Sequence, residues 1–495
     1  MSYVLALDEG TTSARAVLYN ERGERLAVHA VPIDCAYPKP GWVEQDANAI
    51  WRAQSAAIHA VLGQWNLTPR DIAACGIANQ RETTVVWDRK TGEPIAPAIV
   101  WQCRRTADFC GELAASPYAA LIEKKTGLVI DAYFSGSKIR WILENVPQAL
   151  ARARDGEILF GTIDTWLIWK LTGGETHVTD YTNASRTMLM DLATGEWDRD
   201  MLGLFNVPPA MLPKIVPSSG RVTVTTGEFA GIPISGIAGD QQAALAGQAC
   251  FRAGLSKNTY GTGCFALTHA GNRQPHSSHR LLGTRAASFD SKGSDDKATF
   301  AVEGSVFVAG AVIQWLRDSL GLITTAADSE PIAASVPDTG GVHFVPAFVG
   351  LGAPYWDPSA RGVISGLTRS SSRAHIVRAA LESIAFQSRE LIDAMEADSG
   401  EPVVELRVDG GAAVNNFLMQ FQADILGKPV VRPADVETTS LGAAYLAGIA
   451  EGIWSGTDQV ETFWKVDRRF DPRMPADERE ERMNAWCKAV SRARS

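Results

Sequence analysis

Two turns rich in glycine and hydroxyl residues, one in each half of the chain, most strongly constrain how this sequence can fold. The first covers residues 7–13 (LDEGTTS) after an apolar run, and the second covers residues 260–263 (YGTG), near the middle of the 495 residues. Each pattern is typical of a strand that breaks into a tight turn, where small residues let backbone N–H groups approach phosphate oxygens. The repeat predicts two similar lobes that close on a nucleotide, as in a kinase or an ATPase.

The length and composition indicate a globular protein with two large domains. A chain of 495 residues exceeds what one hydrophobic core usually organises. A content of 45% hydrophobic and 21% charged residues argues against disorder. The net charge of −9 argues against a dedicated nucleic-acid binder, because no basic excess is available to neutralise phosphates. We place the domains at residues 1–248 and 249–495.

The seven cysteines are scattered, and no pair has CxxC spacing. An odd number without ligand spacing favours reduced thiols over structural disulfides or a zinc site. The N-terminus enters an apolar run without a basic segment, and no apolar run reaches the length of a membrane span. We therefore expect a cytoplasmic protein with no integral membrane segment.

Hydrophobic periodicity predicts strands and helices around both turns. The first turn has no GxGxxG pattern and the chain has no GxxxxGK[ST] loop, which argues against the common dinucleotide and P-loop arrangements. The predicted strands are residues 3–7, 14–19, 25–31, 72–78, 83–87, 231–238, 256–260, 264–269 and 299–303. The predicted helices are residues 51–62, 241–247, 306–320, 376–395 and 476–494, and the polar stretch 291–297 is expected to be a loop.

Two aspartates stand where predicted strands end. Asp8 lies beside Gly-Thr-Thr, where a carboxylate can hold Mg²⁺ next to phosphates, directly or through water. Aspartate also favours turns for its own backbone hydrogen bonds, so a structural role is equally open. Asp240 begins a predicted helix, where aspartate is a favoured N-cap. The alternative for Asp240 is a general base at a strand-to-helix corner, where ligands gather in α/β folds.

A charged pair and three aromatic residues complete the candidates. Arg81 and Glu82 lie in a polar turn between two predicted strands, and a solvated surface pair of this kind contributes little. The functional alternative is a donor and an acceptor side by side, as needed to grip vicinal hydroxyls. Trp101, Tyr133 and Phe265 have core packing as their usual role.

Taken together, these segments resemble the FGGY family of carbohydrate kinases, and within it the members that phosphorylate glycerol, over nearly the full chain. Nine stretches occur in the family's order, which makes the resemblance specific. They are residues 7–15 (LDEGTTSAR), 79–84 (NQRETT), 101–106 (WQCRRT), 131–136 (DAYFSG), 164–169 (DTWLIW), 239–242 (GDQQ), 258–265 (NTYGTGCF), 350–357 (GLGAPYWD) and 408–412 (VDGGA). The Arg-Glu, Trp and Tyr positions distinguish these members from the sugar kinases.

The resemblance implies an α/β fold of two actin-like, ribonuclease-H-like lobes with the active site in the cleft between them. The N-terminal lobe would bind polyol and phosphate, and the C-terminal lobe would bind the nucleotide. The implied reaction transfers a phosphoryl group from ATP to glycerol, giving sn-glycerol 3-phosphate in glycerol catabolism, with Mg²⁺ as cofactor. A homodimer or homotetramer is implied as well.

The resemblance also assigns roles to individual residues. Asp240 would be the catalytic base that accepts the proton of the attacking hydroxyl, a contribution of order 10²–10⁴-fold. Asp8 would orient Mg²⁺. The implied glycerol-binding residues are Arg81, Glu82, Trp101, Tyr133, Asp240, Gln241 and Phe265. The implied nucleotide-binding residues are Thr11, Thr12, Ser13, Arg15, Thr262, Gly310, Gln314, Gly411 and Asn415.

Three departures from the family pattern stand out. Glu9 replaces the usual glutamine and Ala14 a frequent serine, and we expect small effects because the Asp, Gly and Thr residues are intact. Some bacterial members bind fructose 1,6-bisphosphate with a Gly-Gly and Arg-bearing loop, and others carry a phosphorylatable histidine. Residues 220–231 (GRVTVTTGEFAG) have neither feature, so we expect both controls to be absent.

Three rival functions stay open from the sequence. The nearest is another polyol or ketose kinase on the same fold, which a panel of substrates would reveal. An actin-like ATPase or chaperone would need no polyol site, so Arg81, Glu82, Trp101 and Asp240 would have no reason to coincide. A catalytically inactive binding protein is disfavoured by the intact Asp8 and Asp240.

Overall fold

A computed structural model of the chain describes residues 2–289 and 298–494, so the loop expected at 291–297 lies outside the described residues. The described residues group into two compact units. The first draws on Met1–Phe251, Gly283–Phe300 and Glu437–Phe463, and the second on Arg252–Leu282, Ala301–Val436 and Trp464–Ser495. The first unit thus takes in a segment from the last fifth of the sequence.

The described residues form strands and helices throughout both units. The strands are β1 (Tyr3–Glu9), β2 (Ser13–Tyr19), β3 (Arg25–Pro32), β4 (Glu44–Gln45), β5 (Ile72–Asn79), β6 (Val85–Asp88), β7 (Ala98–Ile99), β8 (Ile158–Gly161), β9 (Val178–Asp180), β10 (Lys214–Val216), β11 (Ser219–Val224), β12 (Pro233–Gly239), β13 (Leu255–Tyr260), β14 (Cys264–Gly271), β15 (Leu282–Arg285), β16 (Phe300–Val306), β17 (His343–Val345), β18 (Val363–Ser365), β19 (Glu405–Asp409), β20 (Val430–Pro433) and β21 (Val466–Phe470). The helices are α1 (Ala47–Gln64), α2 (Ala107–Ala114), α3 (Ala119–Thr126), α4 (Ser135–Asn145), α5 (Ala149–Arg154), α6 (Ile163–Leu171), α7 (Tyr181–Ala184), α8 (Arg199–Leu204), α9 (Asp240–Gly247), α10 (Gly310–Asp318), α11 (Ser329–Ala334), α12 (Arg373–Ser399), α13 (Asn416–Leu426), α14 (Thr438–Ala450), α15 (Thr457–Phe463) and α16 (Ala476–Ala493).

Most predicted elements are confirmed with boundaries shifted by a few residues. The predicted helix over 306–320 begins too early, because β16 continues to Val306 and α10 begins only at Gly310. The three residues between them, 307–309, form a loop that bonds to the second glycine turn, since Ala309 N donates to the Thr262 carbonyl at 2.8 Å. A local apolar pattern does not encode that long-range contact.

The main sheet of the first unit has the strand order β11-β12-β5-β1-β2-β3. β1 pairs antiparallel with β2 and parallel with β5, and β12 also pairs parallel with β5. The carboxyl ends of β1, β5 and β12 therefore meet at one edge of the sheet. The polar turn after β5 and the corner after β12 both start from that edge.

Apolar side chains alternate along β1 and fill a core on each face of this sheet. Leu5 and Leu7 pack into the cluster that includes residues of α1 and α6. Val4 and Ala6 pack into the cluster that includes residues of α14. α14 also lies unusually close to α9, since a Cβ on Gly442 would fall 1.8 Å from the Ala243 carbonyl oxygen. The segment from the C-terminal half is thus part of this core.

The second unit repeats the hairpin-plus-parallel-strand arrangement. Its larger sheet contains, in spatial order, β16, β14, β13, β19, β20 and β21. β13 pairs antiparallel with β14 and parallel with β19, as β1 does with β2 and β5. The internal echo predicted from the two turns is confirmed. Among the helices of the described residues, none is long and apolar enough to cross a membrane.

Candidate active site

The predicted site residues divide between the two units. The first unit holds Asp8, Thr11, Thr12, Ser13, Arg15, Arg81, Glu82, Trp101, Tyr133, Asp240 and Gln241. The second unit holds Thr262, Phe265, Gly310, Gln314, Gly411 and Asn415.

Asp8 lies at the end of β1 in a negatively charged environment. Its pKa is raised to about 6, mainly by burial and also by the nearby carboxylates of Asp240 and Glu437, against the opposing effect of Arg15. The Arg15 Nη1 lies 3.7 Å from Asp8 Oδ2 and 2.9 Å from Glu437 Oε2. Glu437 was not predicted, because it stands 422 residues from Arg15 in the sequence.

This environment fits a cation that is shared with a ligand. Within residues 2–289 and 298–494, no group of three or more His, Cys, Asp or Glu side chains forms a metal site by itself. Mg²⁺ usually takes one or two carboxylates and completes its shell with water and phosphate oxygens. A buried carboxylate with like-charged neighbours, such as Asp8, suits that mode of binding.

The turn after β1 connects the predicted phosphate and polyol residues. The Trp101 indole Nε1 donates to Thr11 Oγ1 at 2.9 Å, and Gln45 Nε2 donates to the Thr11 carbonyl at 2.7 Å. Thr12 is exposed and Ser13 is half-buried. These hydrogen bonds fix Thr11, whereas the neighbouring Thr12 is exposed to solvent.

The polar turn after β5 is buried, which rules out the surface-pair interpretation. Arg81 is 3% exposed and Glu82 is 1% exposed. Arg81 Nε lies 3.1 Å from Asp240 Oδ1 and 4.0 Å from Glu82 Oε1. Glu82 has a φ of 62°, a left-handed conformation that costs about 1–3 kcal/mol in a non-glycine residue and clusters at functional sites.

Two buried cations that the sequence analysis missed hold Glu82. Arg186 Nε donates to Glu82 Oε1 at 2.6 Å. Lys138 Nζ donates to the backbone carbonyls of Glu82 and Tyr133, and burial lowers its pKa to about 8. Ser135 Oγ also donates to the Glu82 carbonyl, at 3.0 Å. These residues come from α4 and from the turn after α7, which carry no local signal for the contact.

The two aromatic residues predicted in this unit lie beside the charged turn. The rings of Trp101 and Tyr133 meet edge to face with centroids 5.5 Å apart. Both are half-buried, and the Trp101 backbone N–H donates to Thr83 Oγ1 at 3.2 Å. Their partial exposure distinguishes them from core residues such as Trp87 and Trp166, which are fully buried.

Hydrogen bonds hold the corner between β12 and α9, which carries Asp240. Gly239 is the N-cap of α9 and Asp240 is its first helical residue, so the carboxylate is not the cap. The Gly239 N–H donates to Thr182 Oγ1 at 2.8 Å, and that hydroxyl donates to Asp180. Asp240 Oδ1 accepts the Gln241 N–H at 2.7 Å, and both residues are half-buried. The geometry leaves Asp240 paired with Arg81 and partly open to solvent.

In the second unit, two glycine-containing segments lie beside the turn after β13. Gly310 N donates to the Gly261 carbonyl at 2.9 Å, and Ala311 N donates to the Thr262 carbonyl at 3.1 Å. Gly410 has a φ of 87°, and a Cβ there would lie 2.6 Å from the Tyr260 carbonyl oxygen. A Cβ on Gly411 would meet no atom within 4 Å. Gly411 therefore borders open space, and the first N–H groups of α10 hold the turn after β13.

The remaining predicted residues of this unit, Asn415, Gln314 and Phe265, differ in exposure and in hydrogen bonding. Asn415 caps α13 by accepting the Leu418 N–H at 2.9 Å, and its Nδ2 donates to Ser329 Oγ at 3.2 Å. Gln314 is exposed on α10, and Phe265 is half-buried on β14. Asn415 thus already has a structural role as a helix cap.

Comparison with known proteins identifies the family. The family model for the N-terminal domain of the FGGY family of carbohydrate kinases matches residues 3–247, and the model for its C-terminal domain matches residues 256–451. The chain belongs to the FGGY family of carbohydrate kinases. The FGGY assignment makes it a phosphotransferase with an alcohol acceptor, and the actin-like ATPase or chaperone alternative loses its support.

Relatives of this FGGY kinase match it over its full length. The chain is 56% identical over 495 residues to a glycerol kinase of Carboxydothermus hydrogenoformans, covering 99% of this chain and 98% of the relative. It is 55% identical over 495 residues to glycerol kinase 2 of Thermotoga maritima, covering 100% and 99%. A crystal structure of Plasmodium falciparum glycerol kinase with ADP matches with a TM-score of 0.95 at 37% identity, covering 100% of this chain and 98% of that one.

Proposed function

We propose that the protein is a glycerol kinase, which phosphorylates glycerol with ATP to give sn-glycerol 3-phosphate. The observation that carries the proposal is the contact of buried Arg81 with half-buried Asp240, at 3.1 Å between Nε and Oδ1, with Glu82 in the same turn as Arg81. The contact joins a hydroxyl-binding donor to the predicted base at one sheet edge. The full-length identity to glycerol kinases supports the acceptor.

In this proposal, the acceptor hydroxyls are recognised by buried polar groups. Arg81 donates, Glu82 accepts, and Tyr133 and Gln241 complete the polar contacts. Trp101 covers the carbon backbone, and Phe265 of the second unit is assigned the same role. A site built to satisfy hydroxyls rejects analogues that lack them, because its polar groups would be left unpaired.

Asp240 is the proposed general base. Its carboxylate accepts the proton of the attacking hydroxyl, while Arg81 and the Gln241 N–H fix its orientation. A positioned base contributes about 10²–10⁴-fold to the rate. Positioning and charge stabilisation supply most of the remainder in phosphoryl transfer.

The phosphates are assigned to the two glycine-rich turns. Thr11, Thr12, Ser13 and Thr262 would hold phosphate oxygens, and Arg15 would offset charge at the γ-phosphate. Asp8 is proposed to hold Mg²⁺, which when bound neutralises phosphate charge. Contact with the adenosine part is assigned to Gly310, Gln314, Gly411 and Asn415.

A panel of acceptors tests the proposed function. ADP release by the purified protein is followed with MgATP alone and with glycerol, dihydroxyacetone, xylulose or gluconate. We expect release that depends on glycerol and is weaker with the sugars. Faster release with xylulose or gluconate would make the protein a different polyol or ketose kinase. Release without any polyol would return the ATPase interpretation.

Control by fructose 1,6-bisphosphate is proposed to be absent. Arg221, the one arginine of residues 220–231, pairs with Glu451, with Nε 2.8 Å from Oε1. An arginine held in this way is less available to a phosphate. A clear drop in activity on adding fructose 1,6-bisphosphate would contradict this expectation. The expected homodimer or homotetramer, the cytoplasmic location and the absence of histidine phosphorylation stay predictions.

A further inference from the structure

Arg186 is a fully buried arginine that contacts two of the proposed glycerol-binding residues. Its side chain is 0% exposed, and its Nε lies 2.6 Å from Glu82 Oε1. Its guanidinium carbon lies 5.5 Å from the centroid of the Tyr133 ring and 5.2 Å from that of Phe134. One planar cation thus combines an ion pair with two aromatic contacts.

Arg81, the second arginine of this cluster, lies near the carboxylates of both Asp240 and Glu82. Arg81 Nε lies nearer to Asp240 Oδ1, at 3.1 Å, than to Glu82 Oε1, at 4.0 Å. Because Arg186 already balances the charge of Glu82, Arg81 is left to pair with Asp240. By these distances, each arginine lies nearest to a different carboxylate, Arg186 to Glu82 and Arg81 to Asp240.

We propose that Arg186 is a positioning residue for the acceptor site, which fixes the Glu82 carboxylate and the Tyr133 ring and keeps Arg81 on Asp240. The inference rests on the proposed function, because it takes Glu82 and Tyr133 as glycerol ligands. Arg186 acts through these residues and is not assigned a contact with the substrate.

Removal of Arg186 has a definite physical consequence. The Glu82 carboxylate would remain 1% exposed without its nearest cation, and a buried charge that loses its partner takes up a proton or recruits another cation. Arg81 and Lys138 are the buried cations nearby, and a movement of Arg81 toward Glu82 would take it away from Asp240. Either response changes the acceptor site and leaves the nucleotide residues in place.

Steady-state kinetics of Arg186→Met and Arg186→Lys test the proposal. We expect Arg186→Met to raise the KM for glycerol by about 10- to 150-fold, the range for a lost hydrogen bond to a charged group. The KM for MgATP should stay within about twofold of wild type. Arg186→Lys keeps the charge without the planar fork, so it should recover part of the glycerol KM.

Arg378→Met is the matched control. Arg378 Nε pairs with buried Glu382 Oε1 at 2.7 Å, and its guanidinium lies 5.0 Å from the Phe417 ring. Its loss removes the same kind of pair in the second unit, where no polyol role is assigned to either partner. Its glycerol KM should be unchanged. An equal rise in the control would overturn the positioning role.

A double-mutant cycle with Glu82→Gln separates positioning from general stability. If Arg186 acts through Glu82, adding Arg186→Met to Glu82→Gln should change the glycerol KM by no more than about twofold. Multiplied effects, or parallel rises in the glycerol and MgATP KM values, would overturn the proposal. If Arg186→Met does not fold, Arg186→Lys carries the test, and an unchanged glycerol KM there overturns it. If the wild-type protein shows no glycerol-dependent ADP release, the proposed function itself is contradicted.

Discussion

The edge formed by β1, β5 and β12 in the first unit and the edge formed by β13 and β19 in the second share a backbone plan but differ in side chains. The first edge carries charged side chains, among them Asp8, Arg81, Glu82 and Asp240. The turns at the second edge present glycines and a hydroxyl, with Gly310 and Gly410 packed against the backbone of residues 260–263. On the proposed function, the first edge would perform the chemistry on the acceptor, while the backbone of the second would contact the nucleotide.

The largest effect is expected from removing Arg81, whose charge links the turn after β5 to Asp240 after β12. Arg81→Met should lower kcat/KM for glycerol by about 10²–10³-fold, because it removes the buried cation that pairs with the half-buried Asp240 carboxylate. The affinity for MgADP, measured by calorimetry, should change little. Arg105→Met is the control, since Arg105 is 2% exposed in the same unit and pairs with Glu44 at 2.7 Å. Equal loss in both variants would contradict an acceptor role for Arg81.

A smaller effect is expected from pH. The pKa of Asp8 is raised to about 6, mainly by burial, so its carboxylate takes up a proton as pH falls through that value. A protonated Asp8 cannot hold Mg²⁺, and kcat/KM for MgATP should fall about tenfold per pH unit below about 6. The profile of Asp8→Asn should lack that limb. A wild-type profile that is flat from pH 7 to 5 would remove Asp8 from the metal role.

The smallest effect is expected at the second edge. Gly411→Ala should raise the KM for MgATP by about tenfold or less, the effect of one overpacked contact with a bound ligand. The melting temperature should be unchanged, because a Cβ at Gly411 meets no protein atom within 4 Å. Gly203→Ala has the same open surroundings in the first unit and should leave both KM values unchanged. A rise in the glycerol KM of Gly411→Ala would contradict the assignment of the second edge to the nucleotide alone.

The sequence alone predicted that Asp8 and Asp240 lie at the ends of strands. Both follow apolar runs that end in small residues, and parallel pairing of β1, β5 and β12 brings those ends together. The same logic predicted the second turn and its echo of the first. The local sequence pattern could not decide whether Arg81 and Glu82 are exposed or buried, because exposed and buried polar turns have the same sequence pattern. Only the resemblance to the family favoured a functional role.

The contacts that hold the site could not be predicted from local pattern. Arg186 reaches Glu82 across 104 residues, and Glu437 reaches Arg15 across 422 residues. Such pairs depend on how the elements pack rather than on periodicity. α14 is a similar case, since its apolar sequence predicts burial but not that it packs in the first unit.

The most direct test of the account is the single-turnover rate of phosphoryl transfer by Asp240→Asn at saturating glycerol and MgATP. Saturation removes any change in binding, so the rate reports on proton acceptance alone. The account predicts a fall of about 10²–10⁴-fold with MgATP affinity kept. A rate equal to that of the wild type would contradict the assignment of Asp240 as the base and leave the Arg81 contact as a structural ion pair.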